Sequence, residues 1–169
     1  AQMSPPSADI ILYTPSEKIF VAGAPALLSA FGMTRKGDTI NNLTYTWAYG
    51  DGGQGIGSST MYRYLYPGRY IAQVEATNGY VVGIGRINVR VIAPDIAITK
   101  KGDGKYGPYV EINNPNIHDL DISYWKLTID GGVFDFPKNT MIPRGETTRF
   151  TGYAMGFAST TIASSTVIK

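Results

Sequence analysis

The chain has 169 residues, of which 43% are hydrophobic, 12% aromatic and 17% charged, and it contains no cysteine. This composition is too apolar for a disordered chain, offers no apolar run long enough to span a membrane, and excludes disulfides and thiolate chemistry. The formal net charge is only +2, with no basic stripe in either half, so nucleic-acid binding is also excluded.

The chain begins with Ala1 and Gln2, which fits the mature end that signal peptidase leaves after a small-residue cleavage motif. Trimming of a longer chain would leave the same start. We expect an extracellular or cell-surface protein whose signal peptide has been removed.

Three segments of the N-terminal half alternate with a period of two, which predicts half-buried β-strands. They are residues 44–49, 70–77 and 87–91. The residues predicted to face the core are Tyr45, Trp47, Tyr49, Tyr70, Ala72, Val74, Ala76, Ile87, Val89 and Val91.

No segment predicts an amphipathic helix, and the best candidate, residues 25–33, is short and bracketed by Pro25 and Gly32. Turn sequences recur about every ten residues, which is typical of an all-β sandwich. Pro94 cannot donate a hydrogen bond to a sheet, and strand-like residues resume directly after it. A domain boundary is therefore predicted there, giving domains of residues 1–94 and 95–169.

The C-terminal half repeats this pattern. Its alternating runs place Tyr109 and Glu111 opposite Val110 and Ile112, and Trp125, Leu127 and Ile129 on one face. Asp130-Gly131-Gly132 then predicts a hairpin turn, because the glycines supply the positive φ that tight hairpins favour. Residues 158–169 are rich in Ser, Thr and β-branched residues, which fits one more strand or a loose tail.

Residues 47–70 contain the motifs W-x-Y-G-D-G and Y-x-Y-P-G-x-Y. The residues that form them are Trp47, Tyr49, Gly50, Asp51, Gly52, Tyr64, Tyr66, Pro67, Gly68 and Tyr70. This arrangement resembles the PKD (polycystic kidney disease) domain family, in which Phe usually stands where this chain has Tyr49. The resemblance extends over about residues 9–93 and implies a seven-stranded immunoglobulin-like sandwich, usually extracellular and not itself catalytic.

The glycine-rich run at residues 47–57 has three interpretations. As a corner, Gly50-Asp51-Gly52 turns the chain out of its strand, with Asp51 accepting hydrogen bonds from the turn. A phosphate loop requires a helix directly after the glycines, and none is predicted after Gly57. Calcium requires about six to eight oxygen ligands, so a lone Asp51 is a weak calcium candidate. The corner is favoured.

Residues 109–145 carry a second set of motifs, V-E-I-x-N, D-I-S-x-W-x-L and F-x-F-P-x-x-T-x-I-P-x-G. The matching residues are Val110, Glu111, Ile112, Asn114, Asp121, Ile122, Ser123, Trp125, Leu127, Phe134, Phe136, Pro137, Thr140, Ile142, Pro143 and Gly145. They resemble the bacterial secreted branch of the lamin tail domain family, which implies another immunoglobulin-like sandwich. Its later strands are missing here, so we expect this domain to be truncated or completed by another chain.

No catalytic constellation is predicted. His118, the only histidine, is followed by Asp119 and Asp121, but a stable metal site usually needs three or four ligands of fixed geometry, and a solvated turn explains the same pattern. A serine triad would lack the G-x-S-x-G elbow, and the carboxylates are scattered. Residues 83–88 mimic half a dinucleotide fingerprint but open a strand. We predict no enzyme activity and no cofactor, with Asp51, Asp119 and Asp121 as weak calcium candidates.

A tyrosine-rich element is the predicted interaction surface. It consists of Tyr62, Arg63, Tyr64, Tyr66 and Arg69. Core packing explains about half of these side chains, since alternate strand residues face inward. The outward half suits a glycan or protein partner, because tyrosine and arginine are enriched at interfaces.

Together these features predict a non-enzymatic cell-surface module with spacer, adhesive or assembly roles. The alternative is an accessory region of a larger secreted hydrolase. The C-terminal segment, Thr160 to Lys169, adds a third expectation, because it has the composition of a strand able to pair with an open sheet edge in its own subunit or a neighbour's. Head-to-tail pairing of that kind would build a filament.

Overall fold

The structure is a computed structural model that describes residues 9–156 and 165–168. The chain divides into two compact units. The first comprises the residues up to Phe20 with Ala26–Tyr62 and Gly68–Val91, and the second the residues from Ile92 onward with Val21–Pro25 and Arg63–Pro67. Nearly all regular structure is β, so the predicted all-β class is confirmed.

The first half of the chain forms one large sheet and two strand pairs. The strands are β1 (Ile11–Tyr13), β2 (Glu17–Val21), β3 (Ala26–Ser29), β4 (Phe31–Met33), β5 (Thr44–Ala48), β6 (Gln54–Ile56), β7 (Ser59–Tyr62), β8 (Gly68–Thr77) and β9 (Val82–Ile92). The five-stranded sheet has the order β2-β9-β8-β5-β6, while β1 pairs with β4 and β3 with β7.

Alternation along β5, β8 and β9 buries one face of the five-stranded sheet. Trp47 of β5 lies opposite Val74 of β8, which lies opposite Gly85 of β9. All the residues predicted to face the core are buried except Tyr70, which is half-buried. The period of two in the sequence therefore predicted these strands and their inward faces correctly.

Residues 26–33 form β3 and β4, two short strands on either side of Ala30. Leu28 is buried and Leu27 exposed, as expected for a strand with two unlike faces. Gly32 packs against the Leu43 side chain, whose terminal methyl group would have to move to accommodate a Cβ atom there. The side chains of this apolar run therefore alternate between the core and the solvent, as in a strand, and do not form one face of a helix.

The second half forms three smaller sheets and one turn of helix. The elements are β10 (Ala97–Gly104), β11 (Gly107–Asn113), β12 (Leu120–Asp121), β13 (Lys126–Ile129), β14 (Gly132–Asp135), β15 (Met141–Ile142), β16 (Thr147–Thr151), α1 (Gly152–Met155) and β17 (Ser165–Ile168). The sheet orders are β10-β11-β16, β12-β15 and β14-β13-β17.

Trp125 is the largest fully buried side chain of the second unit, and its indole nitrogen donates a hydrogen bond to the Leu65 carbonyl oxygen at 3.1 Å. Asn114, the residue directly after β11, is also buried. Its side-chain amide donates hydrogen bonds to the carbonyl oxygens of Ile142 and Pro143. Because each buried polar group has a partner, burial of these side chains carries no desolvation penalty of the kind an orphaned group would impose.

Two local features differ from the sequence predictions. The hairpin turn consists of Asp130 and Gly131, both with positive φ, whereas Gly132 already pairs with Ile129 in the ladder. The predicted three-residue turn was one residue too long, because Asp tolerates the left-handed conformation. The helix α1 was not predicted. It is a single turn between the cap residues Thr151 and Gly156, too short for a periodic signal.

The C-terminal residues 165–168 form a strand rather than a loose tail. β17 runs antiparallel to β13 of the same chain, with Thr166 opposite Thr128. Residues 160–164 and Lys169 of the predicted strand, and Ala1 and Gln2, lie outside the described residues. Within the described ranges, no helix has the length and apolar character needed to cross a membrane.

Replacement of Trp47 by Ala should lower the free energy of unfolding by about 3–5 kcal/mol, because a buried large aromatic leaves a cavity when truncated. Chemical denaturation measures the loss. Ile84→Ala, which truncates an exposed residue of the same sheet, is the control and should change stability little. An unchanged denaturation midpoint for Trp47→Ala would contradict the packing described here.

Candidate functional site

The glycine-rich run forms the end of β5, a turn and the edge strand β6, with no helix after it. Gly50 has φ +91°, and a Cβ atom there would lie 2.6 Å from the Ile71 carbonyl oxygen. Cβ atoms at Gly53 and Gly55 would collide with the hydroxyls of Tyr62 and Tyr49. The glycines therefore make room for neighbouring chain and rings, which supports the corner interpretation.

Asp51 is held by partners within the first unit. Its Oδ1 accepts a hydrogen bond from the Gly53 N–H at 3.0 Å, and its Oδ2 accepts one from the Tyr62 hydroxyl at 2.9 Å. The Tyr62 ring stacks on Tyr49 with a centroid distance of 3.8 Å, and the Tyr49 hydroxyl lies 2.8 Å from Thr60 Oγ1. Asp51 thus caps the turn and fixes a tyrosine stack.

The environment of Asp51 changes the acidity of two tyrosines. Burial, followed by the hydrogen bond to Asp51 and its negative charge, raises the pKa of Tyr62 well above the ordinary tyrosine range. Burial and the same carboxylate also raise the pKa of Tyr70. Both effects favour the neutral phenol, so these tyrosines act as structural hydrogen-bonding groups at neutral pH.

The His118 loop uses its carboxylates in the same structural way. Asp119 Oδ1 accepts from the Arg144 N–H at 2.9 Å, and Asp121 Oδ1 accepts from the Ser123 N–H at 2.9 Å. The His118 carbonyl oxygen accepts from the buried amide of Asn114 at 3.0 Å. Across residues 9–156 and 165–168, no three His, Asp or Glu side chains are grouped as a metal site requires.

The residues of the predicted tyrosine-rich surface differ in burial. Tyr64 is only 1% exposed and belongs to the core, so its inclusion was wrong. Tyr62 is half-buried against Tyr49, and Arg63 directs Nη1 to the Met141 sulfur at 3.8 Å. Tyr66 and Arg69 are exposed and belong to different units. Strand alternation alone could not show which of these rings another ring would cover.

An open groove lies on the solvent face of the five-stranded sheet, with a volume of about 490 Å³. It follows β5, β6 and β8. Its lining residues are Thr46, Trp47, Ala48, Gln54, Gly55, Ile56, Gln73 and Glu75. The polar side chains come from the outward positions of the three strands, which the alternation of β5 and β8 predicts.

A row of polar side chains borders this groove. Arg86 Nε donates to Gln73 Oε1 at 3.1 Å, and Gln73 Nε2 donates to Glu75 Oε1 at 3.2 Å. The residues are brought together by the register of β8 and β9, in which Gln73 lies opposite Arg86. The row offers both donors and acceptors to a ligand or partner.

Apolar side chains lie beside the polar row on the same face. Ile56, Ile71, Val82 and Ile84 are each 56–77% exposed. Register places Ile84 opposite Glu75 and Ile56 opposite Thr46. We call this set of apolar side chains, together with the groove, the open sheet face. A continuous exposed patch that combines apolar and polar groups is typical of interaction surfaces.

A second depression, of about 550 Å³, lies in the second unit between Tyr106, Thr151 and Tyr153. Tyr106 is 71% exposed between β10 and β11, and Tyr153 is 89% exposed on α1. We call it the tyrosine cleft. Sequence reasoning missed it, because the two tyrosines lie far apart in the chain and only the pairing of β11 with β16 brings them together.

Comparison with known proteins identifies part of the chain. The PKD domain family model matches residues 11–81, which confirms the PKD domain predicted from the Trp47 and Tyr70 motifs. The match does not extend to the C-terminal half, where the resemblance to lamin tail domains stays a prediction. No curated protein sequence matches the chain.

Three solved structures are similar to the chain in part. The PKD domain of the human VPS10 domain-containing receptor SorCS2 is 21% identical and has a TM-score of 0.38, covering 56% of this chain and 84% of that one. A structure of carbohydrate-binding modules from the beta-sandwich superfamily is 14% identical with a TM-score of 0.43, covering 94% and 89%. The three N-terminal domains of the bacteriophage RB49 outer capsid protein Hoc are 12% identical with a TM-score of 0.42, covering 95% and 68%.

The Tyr62–Asp51 hydrogen bond predicts a loss of stability at alkaline pH. Since the pKa of Tyr62 is raised in the folded state, its contribution is fully present below the unfolded value of about 10 and is lost progressively as the pH rises above it. Urea denaturation at about pH 8 and about pH 11 should show a smaller loss for Tyr62→Phe than for the unchanged chain. Tyr80→Phe, at a fully exposed tyrosine, is the control, and equal losses for all three proteins would refute the assignment.

Proposed function

We propose that this chain is a non-enzymatic module of an extracellular cell-surface protein, with a structural and adhesive role. The PKD domain at residues 11–81 supports this assignment. In the described residues, Asp51 and Asp121 accept hydrogen bonds from their own turns, and Asp119 accepts one from the Arg144 N–H. The exposed surfaces of the chain are instead the proposed sites of contact with a partner.

The observation that carries the proposal is the open sheet face. Removing Ile56, Ile71, Val82 and Ile84 from water would contribute about 25 cal/mol for each Å² of apolar surface buried. Hydrogen bonds across the interface would orient the partner, and the polar row supplies their donors and acceptors: Gln73, Glu75 and Arg86. A protein or glycan on a neighbouring surface is the proposed partner.

The alternative role, as an accessory region of a larger secreted hydrolase, uses the same face to hold a substrate near a catalytic domain elsewhere. The two roles differ in what adjoins these residues in the full-length gene product. A protease or glycosidase domain would favour the accessory role, and further β modules or a surface anchor would favour adhesion.

Ile84→Lys should weaken partner binding without unfolding the chain, because it replaces an exposed apolar side chain of the open sheet face with a charge. Sedimentation of the purified chain with isolated cell envelopes of its source organism measures binding. We expect affinity to fall at least about tenfold, as for an energetically important interface residue.

Leu27→Lys is the matched control, since Leu27 is 53% exposed on β3, in a different sheet of the same unit. It should bind as the unchanged chain does. Equal binding by Ile84→Lys would remove the open sheet face from the proposal. Labelling of the native protein inside cells rather than at their surface would overturn the extracellular assignment.

A second candidate function is the repeating subunit of a surface filament. The feature that favours it is β17, an edge strand of its sheet that pairs with β13. An edge strand that pairs within one chain can form the same pairing with a neighbour, because both pairings use the same backbone hydrogen bonds. Such exchange would link subunits head to tail.

Cysteine pairing tests strand exchange, since the chain contains no cysteine of its own. A mixture of Thr128→Cys and Thr166→Cys chains, assembled and then oxidised, should form disulfide-linked pairs between chains, because these positions are opposite each other in the ladder. Denaturing electrophoresis detects the pairs, and electron microscopy the filaments.

The double variant, Thr128→Cys with Thr166→Cys in one chain, is oxidised before assembly; its disulfide should then close within the chain, hold β17 on its own β13 and keep the chain monomeric. A mixture of Thr128→Cys with Val167→Cys, one residue out of register, serves as the control and should link poorly. Native material that stays monomeric at high concentration, with no disulfide between chains, would eliminate the filament.

A further inference from the structure

The tyrosine cleft is lined by two exposed aromatic rings. Tyr106 and Tyr153 present most of their surface to solvent, and Thr151 lines the cleft with them. Exposed aromatic rings suit ligands with one apolar face and several polar groups, because the ring packs against the first and leaves the second hydrated. The C–H face of a pyranose ring has this character.

Both rings are attached to fixed backbone. Tyr153 lies on α1, where Thr151 Oγ1 accepts from the Ala154 N–H and the Gly156 N–H donates back to the Tyr153 carbonyl oxygen. Met155 is buried and anchors the same turn. Tyr106 lies in the tight hairpin closed by the pairing of Gly104 with Gly107. A site on fixed elements loses little entropy when it binds a ligand.

One positive charge lies against a ring of the cleft, and two more lie against a neighbouring tyrosine. The Lys105 amino group lies 5.4 Å from the Tyr106 ring centroid. Next to Thr151 in the sheet is Tyr109, whose ring is 4.0 Å from the Arg149 guanidinium and 6.0 Å from the Lys100 amino group.

Acidic groups offset only part of this charge. Arg149 is paired with Glu111 at 2.6 Å. Lys100 lies opposite Glu111 in the ladder of β10 and β11, so the same carboxylate is close to both cations beside Tyr109. The Lys105 amino group is therefore the charge placed against a ring of the cleft, and it favours an anionic ligand.

We propose that the tyrosine cleft binds an acidic sugar unit of a polysaccharide. The sugar ring packs between Tyr106 and Tyr153, and its carboxylate lies toward Lys105. The volume of about 550 Å³ is within the range of small-ligand sites. This inference rests on the proposed surface role and names a ligand class for a site in the second unit.

Calorimetry with the full chain tests it, using polygalacturonate as the acidic probe and dextran as the neutral one. Polygalacturonate should bind at least about tenfold more tightly than dextran. Tyr106→Ala and Tyr153→Ala should each weaken binding by about three- to tenfold, as expected for loss of one aromatic contact. Lys105→Gln should weaken binding of polygalacturonate, and added salt should do the same.

Tyr80→Ala and Lys36→Gln are the matched controls, because both residues are exposed in the first unit and Tyr80 is 95% exposed. Neither should change the affinity. Circular dichroism checks that every variant is folded.

Three results would overturn the inference: no binding of polygalacturonate, equal binding of dextran, or equal losses in the control variants. If one of these results is found and Tyr106→Ala still binds cell envelopes, the inference fails but the proposed surface role is unaffected. Loss of envelope binding by Ile84→Lys with intact polygalacturonate binding would separate the two sites.

Discussion

The first unit depends on the burial of three aromatic side chains at and just after β5, each with its polar atom satisfied. Tyr45 Oη accepts from the Gly32 N–H at 3.1 Å, the Trp47 indole N–H donates to the Gly57 carbonyl oxygen at 2.9 Å, and Tyr49 Oη pairs with Thr60 Oγ1. These bonds join β5 to β4, to the glycine-rich run and to β7. Large rings can fill this core only because their polar atoms meet partners when water is removed.

The same constraint explains the glycine-rich run. Once Tyr49 and Tyr62 stack beside β6, their hydroxyls occupy the space that Cβ atoms at Gly55 and Gly53 would need. Asp51 then serves the stack and the turn together, since its carboxylate accepts from both Tyr62 and Gly53. The glycine-rich run resembles a ligand-binding loop in sequence, but in the folded chain its glycines allow the tyrosine rings to pack.

The residues that the sequence suggested for ligand binding differ from those that the structure leaves exposed to solvent. Asp51 and Asp121 are acceptors for their own turns, and Tyr64 is buried. The sequence did not suggest Ile84 or Tyr153 as contact residues, yet both are widely exposed. A polar group already paired by its own fold has little left to give a ligand, whereas an exposed apolar side chain gains free energy when a partner covers it.

The sequence by itself determined the all-β class, the inward rows of β5, β8 and β9, and the turn at Asp51, because strand alternation and turn chemistry are local properties of consecutive residues. Only the tertiary structure decided which tyrosine is buried, that Asp130 and Gly131 suffice for a hairpin, and that Thr166 lies opposite Thr128. The open sheet face and the tyrosine cleft belong to the second group. Each is assembled from strands that are distant in the chain, and no local pattern records which distant strands will pair.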